Sequence, residues 1–191
     1  EMLFDRLDVR RAVPGAAKAI LIIGGAGGVG SIAIQLVRKL TDLTVIATAS
    51  RPETVQWCKE MGAHHVVDHG KPLAAQISAL GLGAPGFVFS TTNAAPYGAD
   101  IASFIAPQGC LGLIADGLDM SPFKTKSISF HWEFMFTRPV EGTADIAEQG
   151  KLLNEVSRLV DAGTLRTTLT KRMGPLTAQS LMDAHRLLEE G

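Results

Sequence analysis

The sequence predicts an α/β fold: a doubly wound parallel sheet of about six strands with helices on both faces. Three observations lead there. Apolar runs without alternation recur along the chain, the pattern of strands buried on both faces. Amphipathic stretches at helical spacing separate them, so that strand and helix alternate five times. The first run, Ala19-Ile20-Leu21-Ile22-Ile23, passes directly into the glycine cluster Gly24-Gly25-Ala26-Gly27-Gly28-Val29-Gly30, and helical spacing starts at once with Ser31.

The elements follow in order. Glu1-Met2-Leu3-Phe4-Asp5-Arg6-Leu7 is amphipathic and uncapped, and Val13-Pro14-Gly15 breaks it from the first strand. In the helix over residues 31–40, Ala33, Leu36, Val37 and Leu40 share one face while Gln35, Arg38 and Lys39 lie away from it. Thr44-Val45-Ile46-Ala47-Thr48 is the second buried strand. Ser50-Arg51-Pro52-Glu53 starts a helix, with proline in the first turn and an acid just inside, and Met61-Gly62 ends it. A short third strand covers residues 65–68, and a helix covers 72–80. The fourth strand is Gly86-Phe87-Val88-Phe89-Ser90, followed by a helix over 97–105 and a fifth strand over 110–115. Each crossover is expected to be right-handed.

The pattern then changes. Ile128-Ser129-Phe130-His131-Trp132-Glu133-Phe134-Met135-Phe136 alternates bulky apolar residues with mostly polar ones, which predicts one long strand over residues 128–136 with one face buried. As the last strand it would lie at an edge, where so aromatic a surface needs covering. Pairing with a second copy of the chain is the preferred cover, and burial under the last helices is the alternative. Those helices are expected over 143–162, lined by Leu153, Val156 and Val160, and over 177–190, lined by Leu181, Ala184 and Leu188.

With 191 residues, 46% of them hydrophobic and 19% charged, the chain is long and apolar enough to bury a core as one domain. A net charge of −1 supplies no global attraction to nucleic acid or an anionic membrane. No apolar run reaches the length of a membrane span. Cys58 and Cys110 cannot build a disulfide framework and read as buried, reduced thiols, so the expected location is the cytoplasm. An uncapped start at Glu1 and a stop at Gly191 directly after a helical pattern lead us to expect a piece of a longer protein.

Function is concentrated in the glycine cluster. Gly25, Gly27 and Gly30 satisfy G-x-G-x-x-G between a strand and a helix, the Rossmann fingerprint for dinucleotides. The turn needs backbone freedom, the chain must approach a pyrophosphate closely, and the last glycine lets helix and strand touch. Gly25, Ala26, Gly27, Gly28, Val29 and Gly30 are therefore the expected pyrophosphate cradle, facing the positive end of the helix.

Twenty positions beyond Gly30, where NAD-binding proteins of this fold carry an acid for the ribose 2′-hydroxyl, stand Ser50 and Arg51. A carboxylate there would repel a 2′-phosphate; a hydroxyl and a guanidinium would bind it. One charge-assisted hydrogen bond contributes on the order of 1.5–3 kcal/mol, roughly a ten- to hundredfold preference for NADPH. The competing reading is a solvent-facing arginine near a helix start. His69, at the carboxyl end of the third strand, is a candidate for the adenosine phosphate, with a plain surface histidine as the alternative. Ser90, Thr91 and Ala115 end the fourth and fifth strands beside the expected crevice and are candidates for the nicotinamide half, chiefly through backbone groups; an ordinary polar turn competes.

His64, His65, Asp68 and His69 do not converge on a metal, because alternate strand residues point to opposite faces. No Ser/His/Asp or Cys/His constellation appears, so no catalytic residue and no metal ligand is assigned. Asp100, Asp116 and Asp119 read as turn and helix-end residues.

Taken together, Gly25-Ala26-Gly27-Gly28-Val29-Gly30-Ser31, Thr48-Ala49-Ser50-Arg51, the run Met61-Gly62-Ala63-His64-His65-Val66-Val67-Asp68-His69, the segment from Lys126 through Arg138, and Gln149-Gly150-Lys151-Leu152-Leu153-Asn154 resemble the medium-chain dehydrogenase/reductase superfamily. The quinone oxidoreductase branch, which includes zinc-type alcohol dehydrogenase-like proteins, is most similar. The resemblance implies the NADP(H)-binding domain of a reductase for quinones, enones or related carbonyls. In it the turn matching Ala26 to Gly30 holds the pyrophosphate and the pair matching Ser50 and Arg51 meets the 2′-phosphate. A tyrosine usually stands where His69 is. Family dimers commonly join through the last strand, matching residues 128–136. A separate, partly β catalytic domain is implied beyond this chain, and with it the substrate cleft and any zinc ligands. A non-catalytic dinucleotide sensor of the same fold is the rival reading.

Overall fold

The computed structural model describes residues 2–190. Glu1 and Gly191, the ends on which the expectation of a longer parent rests, lie outside the described residues.

Six parallel strands form one sheet: β1 (Ala17–Ile23), β2 (Thr44–Thr48), β3 (His65–Val67), β4 (Pro85–Ser90), β5 (Cys110–Leu113) and β6 (Ser129–Trp132). Their order is β3-β2-β1-β4-β5-β6, so the winding reverses between β1 and β4. Helices α1 (Gly28–Leu40), α2 (Pro52–Met61), α3 (Leu73–Ala79) and α4 (Gly98–Phe104) make the crossovers.

β1 shows why its sequence lacks alternation. Ile20 and Ile22 enter one core with Ile34 and Val37 of α1 and Cys58 and Met61 of α2. Ala19, Leu21 and Ile23 enter a second core with Leu73 and Ile77 of α3 and Ile101 and Phe104 of α4. Both faces of the strand are dry, so every position is apolar. At about 25 cal/mol per Å² of apolar surface, burial of this kind is the main stabilising term of such a sheet. The α3–α4 pair is also fastened by a side chain: the Leu73 and Ala74 amides, at the start of α3, donate to the Asp100 carboxylate of α4. Asp100 thus caps a neighbouring helix rather than its own.

The opening segment contributes to the first core. It forms a single π-helical turn, Met2–Arg6, and Met2, Leu3, Leu7 and Val9 are buried. Leu7 lies so close over Gly112 of β5 that an added Cβ would stand 2.6 Å from its Cδ1.

The last strand is much shorter than its pattern suggests. β6 covers Ser129–Trp132 only, each residue paired with one of Cys110–Leu113. The Glu133 amide makes a further bond to Leu113 O at 2.9 Å, and there the ladder runs out because β5 has ended. The chain turns into α5 (Thr137–Glu141), so Phe134, Met135 and Phe136 are off the sheet and exposed, Phe134 by 59%. The nine-residue strand expected over 128–136 is therefore corrected to four. At the edge of the sheet β6 has β5 as its neighbour, and β5 ends at Leu113.

The C-terminal helices also differ. α6 is Glu148–Asp161, shorter than the expected 143–162, and α7 is Ala178–Glu190. Leu153 is 62% exposed and Val160 is also exposed; Leu159 is the residue that α6 buries, followed by Leu165. Leu181 and Leu188 of α7 are exposed too. None of the expected lining residues is fully buried within the described residues, although Val156 and Ala184 are half-buried.

Candidate dinucleotide site

The glycine turn sits at the reversal point, where neighbouring crossovers leave on opposite faces and open a crevice at the carboxyl ends of the strands. Its glycines do different work. Gly24 carries the positive φ, +79°, that lets β1 turn sharply, and an added Cβ would also stand 2.5 Å from Thr91 Oγ1. This residue falls outside the G-x-G-x-x-G spacing. Gly25 is needed for packing: a Cβ there would stand 2.8 Å from Ala47 Cβ and 3.1 Å from Cys58 Sγ. At Gly30 a Cβ would collide with the Gly24 carbonyl oxygen and lie 2.8 Å from Gly25 Cα, so only glycine lets helix and strand touch. Gly28 differs from all of these. A Cβ there would meet nothing within 4 Å, so its side-chain position is an open cradle.

α1 begins at Gly28, three residues earlier than its apolar spacing suggests, with Gly27 at the cap. The Ser31 amide donates back to Gly27 O at 2.9 Å. The amides of Gly28, Val29 and Gly30 precede it, in the turn whose donors have no carbonyl within the helix. No acidic residue stands in this first turn. The dipole end of α1 and its donors therefore face the cradle with nothing negative from their own helix, which suits a pyrophosphate. Val29 is exposed at the same place.

Beside the turn lies a groove of about 460 Å³ lined by Gly24, Ala26, Gly27, Ser50, Arg51 and His69, among others. β2 and β3 bring its polar residues together from 19 positions apart: Ser50 Oγ and His69 Nε2 are 3.3 Å apart. Arg51 is the cap residue of α2, and its Nε is 3.2 Å from Glu53 Oε1 in a largely exposed ion pair. The groove thus holds a hydroxyl, an imidazole and a guanidinium beside the glycine turn. Such a set can take a phosphate by charge-assisted hydrogen bonds.

Four lining residues were missed: Gly24, Thr48, Ala49 and Thr54. Thr48, the last residue of β2, accepts the Gly24 amide on Oγ1 at 3.0 Å and the Gly25 amide on its carbonyl at 3.2 Å. Thr54 lines the groove from α2 and donates to Arg51 O at 2.9 Å. A hydroxyl closing an otherwise apolar strand was the available signal for Thr48; nothing in the spacing pointed to Thr54.

The candidates for the nicotinamide half lie at the ends of β4 and β5 and do not line this groove. Ser90 is fully buried, and its hydroxyl donates to Thr92 O at 2.9 Å, so its side chain is unavailable to a ligand. Thr91 Oγ1 donates to Ile23 O at 2.9 Å and to Gly24 O at 3.3 Å, tying β4 to the glycine turn across the reversal point. Ala115 is half-buried just beyond β5.

The polar cluster of β3 is dispersed. His64 Nδ1 accepts the Val45 amide at 2.9 Å, Asp68 accepts the Gly70 amide at 2.8 Å, and His69 faces Ser50. Burial, then Arg38 and His65, holds the His64 ring below its usual pKa. The Gly70 amide does the same for the Asp68 carboxyl, with Lys71 adding to it. Burial pushes the Cys58 thiol up to about 11, an inert group behind the glycine turn.

A six-stranded parallel sheet with this turn at its reversal point defines an NAD(P)-binding dehydrogenase domain of the Rossmann type. The profile of the zinc-binding dehydrogenase family matches residues 28–148, and the chain belongs to that family, within the medium-chain dehydrogenase/reductase superfamily. A zinc-type alcohol dehydrogenase-like protein of Staphylococcus aureus strain MSSA476 is 36% identical over the whole chain, which spans 58% of that protein. A crystal structure of a candidate zinc-dependent alcohol dehydrogenase from Rhizobium etli CFN 42 is 64% identical with a TM-score of 0.94. This chain is covered completely in that comparison and corresponds to 56% of the other. A mycobacterial protein whose structure was solved in complex with NADPH shares the fold at a TM-score of 0.74 and 23% identity, over 99% of this chain and 58% of its own. The chain therefore spans little more than half the length of such relatives.

Zinc and the dinucleotide fare differently against these residues. Among the described residues no three His, Cys, Asp or Glu side chains come together as a metal site. No step is assigned to zinc here. The open position at Gly28 and the amides beside it do fit a dinucleotide.

Proposed function

We propose that this chain is the cofactor domain of an NADPH-dependent oxidoreductase whose longer parent reduces a quinone, enone or related carbonyl. The observation that carries the cofactor choice is the grouping of Ser50, Arg51 and His69 around one groove beside the glycine turn. No carboxylate ends β2, where one would hold an unphosphorylated ribose and repel a 2′-phosphate. When bound, NADPH supplies the hydride. The chain's own residues hold its diphosphate on the α1 amides and its 2′-phosphate on Ser50 and Arg51. The Thr91 contact keeps the end of β4 against the turn. Substrate class rests on the residue resemblance, and the substrate cleft belongs to the parent. We take the parent to be cytoplasmic, where Cys58 and Cys110 would remain reduced.

We also propose that the parent is a homodimer paired through the outer edge of β6. That edge carries exposed Trp132, and exposed Phe134 and Phe136 follow it, an apolar surface that a second copy would bury.

The test is titration of NADPH and NADH into the wild type and Arg51→Ala. Arg51 is half exposed (54%), so its interaction is screened and the expected loss for NADPH sits near the low end, about tenfold. NADH should change less than twofold. Equal losses for both would reject the assignment. NADPH consumption by the intact parent with a simple quinone separates the enzyme from a sensor, which would bind without turnover.

A further inference from the structure

The 2′-phosphate groove and the pyrophosphate cradle stand on different helices, so something must hold α2 at a set distance from α1. The α2 residues fully buried in the apolar core are Cys58 and Met61, in the second half of the helix, with Val55 and Trp57 half-buried against that core. Its first half, from Pro52 to Gln56, is exposed or half-buried, yet Arg51 sits at that end. Of the side chains on α2 itself, Trp57 makes the bond to α1: its indole Nε1 donates to Ser31 Oγ at 2.8 Å. Ser31 is buried in the first turn of α1, directly after Gly30.

Trp57 is itself clamped from outside. The Arg166 guanidinium lies over its ring at 5.3 Å and approaches Glu60 at 3.9 Å. Arg166 is in turn fixed to α1 by the buried Gln35 amide. Gln35 Nε2 donates to Arg166 O at 3.2 Å, and the Arg166 amide donates to Gln35 Oε1 at 2.9 Å. Both strand-like bonds come from a residue 131 positions away, and the neighbouring Leu165 is buried. The ring thus has α1 on one side and a segment anchored to α1 on the other.

We infer that Trp57 is a specificity-positioning residue: its bond to Ser31, backed by Arg166, sets the span between the glycine turn and the Ser50–Arg51 groove. This rests on the NADPH reading above. Arg51 lies six residues before Trp57, about 9 Å along the helix, so a small tilt at Trp57 is amplified at the guanidinium. A ligand anchored only on the α1 amides is insensitive to that tilt. One that must reach both helices is not.

The experiment is isothermal titration of NADPH, NADH, 2′,5′-ADP and 5′-AMP into the full chain, as wild type, Trp57→Phe and Arg166→Ala. Phenylalanine keeps an aromatic ring in place and removes the N–H. The expected result is about fivefold weaker NADPH and 2′,5′-ADP binding, with NADH and 5′-AMP within twofold. Arg166→Ala, which touches neither helix start, should shift the same ratio in the same direction by less. Trp57→His, which restores a ring N–H, should recover part of the ratio. Equal weakening of phosphorylated and unphosphorylated ligands would show a merely structural role and overturn the inference, as would an unchanged ratio. If the wild type already fails to distinguish NADPH from NADH, the cofactor reading falls and this inference with it. If the wild type distinguishes them and Trp57→Phe does so equally well, the inference alone falls.

Discussion

Two alanine substitutions two residues apart in the same turn should have opposite consequences. Gly30→Ala would place a methyl against the Gly24 carbonyl and at 2.8 and 2.9 Å from Gly25 Cα and C. Those are backbone atoms, and they cannot move aside. Gly24 and Gly25 are held to Thr48 by amide hydrogen bonds at 3.0 and 3.2 Å. The only relief is to lift α1 from β1, over the core that Ile34 and Val37 fill. Overpacking of this kind costs about 1–3 kcal/mol, less up to about 1 kcal/mol regained from alanine's helix propensity. We expect a net loss of about 1–2 kcal/mol, which lowers Tm by about 2–8 °C in a chain of this size. Gly28→Ala meets open space, so stability should hold or rise by a few tenths of a kcal/mol. Its methyl would fill the cradle, and NADPH affinity should fall at least about tenfold. Urea denaturation and NADPH titration of both variants measure the two effects separately. The reasoning fails if Gly28→Ala binds NADPH as the wild type does, or if Gly30→Ala unfolds at the wild-type midpoint.

Asp100→Ala removes the acceptor shared by the Leu73 and Ala74 amides and should cost about 1 kcal/mol in urea, with dinucleotide affinity unchanged; an unaltered midpoint would refute the cross-helix cap. His64 must be neutral to accept the Val45 amide on Nδ1, and burial, Arg38 and His65 lower its pKa in the fold. A folded pKa below the unfolded one means that the unfolded chain takes up the proton first, so this contribution is complete above about pH 6.5 and fades as pH falls through the folded value. His131 is lowered as well, by burial and then Arg11 and Arg6, and acts with the same sign. His64→Asn puts an amide oxygen where Nδ1 stands, so it should flatten the fall of Tm between about pH 7 and 5; a fall as steep as in the wild type would refute the bond's role.

The glycine turn, the first two strands and their helices were legible from residue order because their causes are local. Apolar residues at every position of β1 and β2 need two dry faces, and glycines between a strand and a helix need a close backbone approach. That Ser50 and Arg51 lie beside the glycine turn was legible from their spacing, since the second strand must return beside the first. Tertiary structure decided the rest. It determined that Gly24 takes the positive φ and that Gly25 packs against Ala47 and Cys58. It ended β6 after four residues, because this edge strand has β5 as its neighbour in the sheet and β5 stops at Leu113. Its long-range folding also brought Gln35 against Arg166 and Trp57 against Ser31. Periodicity reports which face of an element is buried; only the packed chain determines what meets that face.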